Sequence, residues 1–290
     1  MPDVSSELKR PLILGERLEI RPGRYINVTR HIGHVDEDRV LFFSHGSGGN
    51  QDQWRKQWLS LAAEGFHLVA WDLLGHGASD KPDHPQAYAW DELVADYLEV
   101  FQRYRGKRNV LVAHSFGTGL TLSALASLNQ AGRIGEVQGA LLLGTFLERP
   151  QRSGGIMSLP VWVLELLRPW LMKGFRELAW HATADPQLVA YEEGLTKSNP
   201  LYVFKPLMSQ AQWPTLAQLD ELALPVNILA GDSDGLTPAN AGEALHKCLK
   251  NSRFKVLANC GHQLMLEKPD EVLQSLRELL LTATSETRHV

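Results

Sequence analysis

Residues 109–128 read NVLVAHSFGTGLTLSALASL, and the fold turns on this stretch. Val110–Ala113 is an unbroken apolar run, as in a strand buried on both faces. From Gly117 onward the chain is rich in Ala, Leu and small residues and reads as a helix packed closely on a sheet. The few residues between leave room only for a tight turn. A strand, a sharp turn and a helix, with serine at the apex, are what a nucleophile elbow requires. Such a turn puts Ser115 in a strained backbone conformation and brings its hydroxyl to the carboxyl edge of the sheet. Ala113 and Gly117 are small enough for strand and helix to approach closely. The Phe116 N–H, at the helix N-terminus, faces any negative charge that develops there. Taken alone, AHSFG also fits an ordinary serine in a strand-to-helix turn.

Outward from this stretch, the first half alternates strands and helices. Arg17–Arg21 and Tyr25–Thr29 read as two short strands around Pro22-Gly23, and Val40–Ser44 (VLFFS) as a buried strand. Trp54–Glu64 is a predicted helix stopped by Gly65. Phe66–Trp71 (strand), Glu92–Tyr104 (helix), Asn109–His114 (strand), Gly117–Gln130 (helix) and Val137–Leu143 (strand) follow. Strands separated by helices of this length indicate crossover units and a mainly parallel sheet, hence an α/β fold. The alternation stops after Gly144 and resumes with Pro225–Ala230, Pro238–Leu249, Arg253–Leu257 and Pro269–Leu281. Residues 145–214 are therefore expected to form a helical cap inserted after the sixth strand, with helices at Pro160–Leu171 and Gly174–His181. Residues 1–144 and 215–290 form the core domain. Trp162, Trp170, Trp180 and Trp213 are expected to pack the insertion on the core and to roof an apolar pocket. The tail, 285–290, is expected to fray.

A serine hydroxyl is a weak nucleophile and needs a base oriented by a third group. Asp234 lies in GDSD (231–234) just past the strand VNILA, and His262 follows the strand RFKVLA by a short loop. Ser115, Asp234 and His262 thus each follow a predicted parallel strand, at the edge where open α/β sheets bind ligands. The Gly-rich HGSGG (45–49) after VLFFS can turn backbone amides into the same place. The Ser47 and Phe116 N–H groups would form an oxyanion hole, with Gly48 as the alternative to Ser47.

The motifs HGSGG, DLLGHGASD (72–80), AHSFG, GDSDGLTP (231–238) and NCGHQLMLEKP (259–269) together resemble the α/β-hydrolase superfamily, serine-nucleophile branch, from about Arg17 to Leu281. RYRGKRNVLVAHSFG (103–117), WDLLGHGAS (71–79) and LMSQAQWP (207–214) resemble the group of the mammalian α/β-hydrolase-domain-containing protein numbered eight and its bacterial relatives. Ala113 departs from the common Gly at the first position of the elbow. The resemblance implies an α/β-hydrolase fold, Asp234 rather than Asp232 as the acid, and acyl transfer without a cofactor. An esterase or lipase-like activity on an apolar or aromatic small-molecule ester is the expected function. A carbon–carbon bond hydrolase of the same fold, or a binding protein that retains it, are the alternatives. Epoxide hydrolases and haloalkane dehalogenases carry Asp where Ser115 stands.

Composition bounds the rest. The 290 residues carry a formal net charge of −4, too acidic for a phosphate-binding face and against nucleic acid. Cys248 and Cys260 make no disulfide framework or zinc pattern and are expected to be reduced thiols. Residues 1–20 lack the apolar centre of a signal peptide, and no stretch is apolar for the roughly 18 residues a membrane span needs, so a cytoplasmic protein is expected. Contact of Pro160–Leu171 with a membrane surface is a minor alternative. His45, His76, His114, Asp72 and Asp232 are expected to be structural. No metal site and no dinucleotide or P-loop fingerprint appears.

Overall fold

Residues 15–147 and 159–286 are described in the computed structural model of the chain. Most of the expected frayed tail, and most of the amino-terminal stretch judged to be no signal peptide, lie outside the described residues; 285–286 continue the last helix.

Eight strands form one sheet: β1 (Glu16–Arg21), β2 (Arg24–His31), β3 (Arg39–Ser44), β4 (His67–Trp71), β5 (Arg108–His114), β6 (Val137–Leu143), β7 (Val226–Gly231) and β8 (Ser252–Leu257). Their order is β1-β2-β4-β3-β5-β6-β7-β8. β2 runs antiparallel to both β1 and β4. The remaining neighbours are parallel. β3, β5, β6 and β7 are almost wholly buried, as the apolar runs predict for strands covered on both faces.

α1 (Arg55–Ala63), α2 (Trp90–Tyr104) and α3 (Phe116–Gln130) come before β6. α4 (Val161–Ala179), α5 (Pro186–Thr196), α6 (Leu201–Ser209) and α7 (Leu216–Asp220) all fall between β6 and β7. α8 (Ala239–Cys248) follows β7; α9 (Leu264–Glu267) and α10 (Pro269–Glu286) follow β8. Alternate side chains along each central strand enter two cores. Phe42, Leu111, Leu142 and Ile228 pack with Leu93, Leu120 and Leu245 of α2, α3 and α8. Leu41, Val112, Leu141 and Leu229 pack with Leu61 and Leu276 of α1 and α10.

The register brings the carboxyl ends of the parallel strands level. Ser44 pairs with Ala113, His114 with Leu143, Leu143 with Leu229, and Gly231 with Leu257. The chain turns from β3 to β4 on one side and reaches β5 on the other, so the strand order reverses at β3 and β5. The loops after these strands diverge at that point and leave a crevice, where such sheets bind ligands.

Two expectations fail in the segment between β6 and β7. The two helices predicted at Pro160–Leu171 and Gly174–His181 are one continuous helix, α4, which runs through Pro169 and Gly174. A proline removes one backbone donor and a glycine about 1 kcal/mol of propensity. Leu164 and Ala179, buried near the two ends, anchor the helix on either side of them. Of the four tryptophans, Trp180 is buried and Trp213 stacks on Trp90 at 5.3 Å. Trp162 and Trp170 instead stand 72% and 68% exposed. With Leu166 they form an i, i+4, i+8 row on the outer face of α4, turned away from the core.

Candidate active site

Ser115 takes φ 52° and ψ −121° between β5 and α3, where few non-glycine residues are found. Its N–H donates to the Leu143 carbonyl at 2.9 Å. Its own carbonyl accepts from the Thr118 N–H and Oγ1 at 2.8 and 2.6 Å. Sheet and first helical turn hold the strained conformation from both sides. A methyl on Gly46 would come 2.9 Å from Ser115 Cβ, so the loop after β3 lies against the elbow.

Asp234 and His262 are brought together. His262 Nδ1 donates to Asp234 Oδ2 at 2.8 Å, with both residues buried. That bond fixes the tautomer and leaves Nε2 with its lone pair. The carboxylate also accepts from the Thr237 hydroxyl at 2.5 Å, the Thr237 N–H at 2.7 Å and the Leu236 N–H at 2.8 Å. Burial alone would push the Asp234 carboxyl up; the His262 ring and these hydrogen bonds outweigh it and hold the group below the usual carboxylate range. Among the described residues neither Ser115 Oγ nor His262 Nε2 has a hydrogen-bond partner. His114, next to Ser115 in the chain, is the residue that reaches His262. The His114 and His262 rings lie 4.6 Å apart, and His114 Nε2 donates to the His262 carbonyl at 2.8 Å. Such contacts are often loose before substrate arrives.

The three motif histidines act in the scaffold. His45 Nε2 accepts the Leu73 N–H at 2.9 Å, so its Nδ1 carries the proton and donates to the Gly46 carbonyl at 2.7 Å. His76 Nε2 accepts the Gly48 N–H at 3.0 Å. Burial pushes His45 down to about 4 and His76 and His114 down to about 3. With its N–H given to His76, Gly48 has no free amide to offer. Among the described residues the N–H groups of Ser47 and Phe116 have no acceptor, and the Ser47 hydroxyl is buried and unpaired.

Asp72 accepts from the Gln51 and Ala78 N–H groups and from Asn27, tying the loops after β3 and β4 together. Asp232 accepts from the Asn259 and Cys260 N–H groups and so braces the loop that carries His262. Cys248 and Cys260 are free.

Sequence reasoning missed several residues. Thr237 stands in the quoted GDSDGLTP, and Glu267 in NCGHQLMLEKP. Glu267 accepts from the Gly261, Gln263 and His181 N–H groups and clamps the loop that carries His262. Both could have been found as polar residues fixed within motifs. Asn199, which reaches the loop after β3, and Glu192, paired with Arg55 at 2.6 Å, carry no such signal.

An aromatic wall adjoins the elbow. Phe116 meets Trp90 and Trp213 at centroid distances of 5.4 and 6.3 Å, and Phe146 meets Trp213 at 6.4 Å. A separate cavity of about 620 Å³, lined by Arg176, Trp180, His181, Val189 and Ser233 among others, holds none of Ser115, Asp234 and His262. Among the described residues no helix is long and apolar enough to cross a membrane.

A mostly parallel eight-stranded sheet with a strained serine after β5 and an Asp–His pair after β7 and β8 defines the α/β-hydrolase class. The alpha/beta hydrolase family model matches residues 40–275, and the chain belongs to that family. Human protein ABHD8 is 31% identical over 247 residues, covering 84% of this chain and 55% of its own. The chain therefore spans about half the length of the curated relatives it matches. Among solved structures, the esterase EaEST from Exiguobacterium antarcticum superposes with a TM-score of 0.76 at 20% identity, covering 92% of this chain and 98% of that one. The 2-hydroxy-6-oxo-6-phenylhexa-2,4-dienoate hydrolase BphD from Rhodococcus gives 0.72 at 19% identity, covering 92% and 98%. These likenesses carry the fold alone.

Proposed function

We propose that the protein hydrolyses carboxylic esters through an acyl-enzyme, with Ser115 as nucleophile, His262 as base and Asp234 as the group that orients it. The reading is carried by the 2.8 Å His262–Asp234 bond, made at the same sheet edge as the strained Ser115. His262 Nε2 takes the hydroxyl proton as Ser115 Oγ adds to the ester carbonyl. Negative charge collects on the carbonyl oxygen against the N–H groups of Ser47 and Phe116. His262 then returns the proton to the departing alkoxide, and water releases the acid by the reverse path. Asp234 keeps the imidazole in the Nδ1–H tautomer and stabilises its charged form. The occupied Gly48 N–H favours Ser47 as the loop donor. Phe116, Phe146 and Trp213 favour an apolar or aromatic small-molecule substrate, and residues 145–214 act as the cap over it.

Two measurements test this. A fluorophosphonate probe should label the folded wild type and fail to label Ser115→Ala. On p-nitrophenyl esters of increasing chain length, that variant should lose about 10³-fold or more in kcat. Unchanged turnover in Ser115→Ala removes the assignment. Turnover of a diketone ring-fission analogue in place of the esters makes the reaction carbon–carbon bond hydrolysis.

A further inference from the structure

Three consecutive peptide units of the loop after β3 are each held by a different side chain. The Gly46 carbonyl takes a hydrogen bond from His45 Nδ1 at 2.7 Å, and the Gly48 N–H donates to His76 Nε2 at 3.0 Å. The Gly48 carbonyl accepts from Asn199 Nδ2 at 2.8 Å, and Nδ2 also reaches the Gly49 carbonyl at 3.3 Å. Together the three fix the direction of the Ser47 N–H, which lies in the first of these units. His45 and His76 belong to the core loops. Asn199 comes from the helical segment between β6 and β7, just past α5.

The residue type suits the task. Asn199 gives its amide hydrogens to two carbonyls and accepts the Gly77 N–H at Oδ1, at 3.2 Å. Only a side-chain amide offers donor and acceptor in this fork, and the partners settle which end is which. Asn199 is buried, and its own backbone is secured from α4: Arg168 donates to the Asn199 carbonyl at 2.5 Å and to the Lys197 carbonyl at 3.0 Å. A path of hydrogen bonds thus runs from α4, through Asn199, to the loop that carries Ser47.

We propose that Asn199 is a positioning residue for the oxyanion loop, so that the hole is complete only while the helical segment is seated on the core. This rests on the reading of Ser115 above. It makes the segment more than a cover, because its seating sets the angle of an amide that must meet the developing charge. A misplacement of about 1 Å at such a donor costs on the order of a hundredfold in rate.

The test compares Asn199→Ala and the nearly isosteric Asn199→Asp with wild type on an ester that wild type turns over. The expected result is a fall of about tenfold to a hundredfold in kcat, with KM within about threefold. A boronic acid, which forms a tetrahedral anion on the serine, should lose affinity by the same factor as kcat/KM. Asn199→Asp should do no better than Asn199→Ala, since a carboxylate cannot donate to the two carbonyls. Leu207→Val, which trims a buried side chain of α6 in the same segment, should lower Tm while kcat stays within about twofold. The inference is overturned if the Asn199 variants keep kcat and boronate affinity, or if Leu207→Val loses as much kcat for the same fall in Tm. A wild type that hydrolyses no ester and takes no fluorophosphonate label sinks the reading of Ser115 and this inference with it. An active wild type with unaltered Asn199 variants sinks this inference alone.

Discussion

Four buried histidines lie at this site; burial holds three of them neutral, and only His262 is oriented by a carboxylate. His45 and His76 spend both ring nitrogens on the backbone, and His114 spends one on the His262 carbonyl. The acid limb of the pH–rate profile should therefore carry a single proton. Activity should rise with pH along that limb with a limiting slope of one. A slope of two, or a flat profile, would contradict the assignment of His262. The same three scaffold histidines predict acid sensitivity of the fold. Burial lowers them to between about 3 and about 4 in the native state. They stay neutral in the folded chain while the unfolded chain takes up protons below about pH 6.5. Their share of stability is full above that value and lost as pH falls to about 4 for His45 and about 3 for His76 and His114, by up to about 1.4 kcal/mol per pH unit for each group. The urea midpoint measured at about pH 7 and about pH 5 checks this, and a midpoint unchanged across the range would refute it. The sequence marked these histidines because they flank motif glycines or Ser115. It could not show their tautomers, which depend on partners from other loops.

At the scale of elements, the elbow was legible because its signals are local. An apolar strand, small flanking residues and a helix-forming run sit within twenty positions, and the strained φ follows from them. The join between β7 and the loop that carries His262 works by close approach. A methyl on Gly231, at the end of β7, would lie 2.3 Å from the Cys260 and Gly261 carbonyl oxygens. Gly231→Ala should push that loop away from Asp234 and lower kcat at least tenfold, with a fall in Tm. Wild-type kcat in that variant would show that the loop adjusts freely. Local signals misled in α4, which reads as two helices, Pro160–Leu171 and Gly174–His181, around Pro169 and Gly174. Breaker residues act within about one turn, whereas the ends of this helix are fixed by packing on distant parts of the chain.

For the whole molecule, the core and the helical segment between β6 and β7 share a buried ion pair. Arg55 of α1 meets Glu192 of α5 at 2.6 Å and Asp52 at 3.5 Å, with all three buried. Burial raises the Glu192 carboxyl, and Arg55 opposes the rise. Taking away one partner of such a pair strands the other charge in low dielectric. Arg55→Ala, which strands the Glu192 and Asp52 carboxylates, should destabilise the protein by about 3–5 kcal/mol, and replacing all three residues with apolar ones of similar size should recover most of the loss. Urea denaturation of the single and triple variants measures the difference. Equal losses in the two would mean that the pair acts through packing alone. Neither residue stood out in the sequence, because a lone arginine and a lone glutamate 137 positions apart look like solvated surface charges.

The sequence by itself determined the alternation of strands and helices, the elbow and the order of Ser115, Asp234 and His262 along the chain. Each of these is written in residues within a turn or a strand of one another. The tertiary structure decided that Asp234 and His262 are in bonding contact, that three histidines are held neutral, and that Asn199 reaches the loop carrying Ser47. It also turned Trp162 and Trp170 outward. Those outcomes depend on which elements meet across the sheet edge, and a hydrogen bond between residues 28 or 151 positions apart leaves no local periodicity to read.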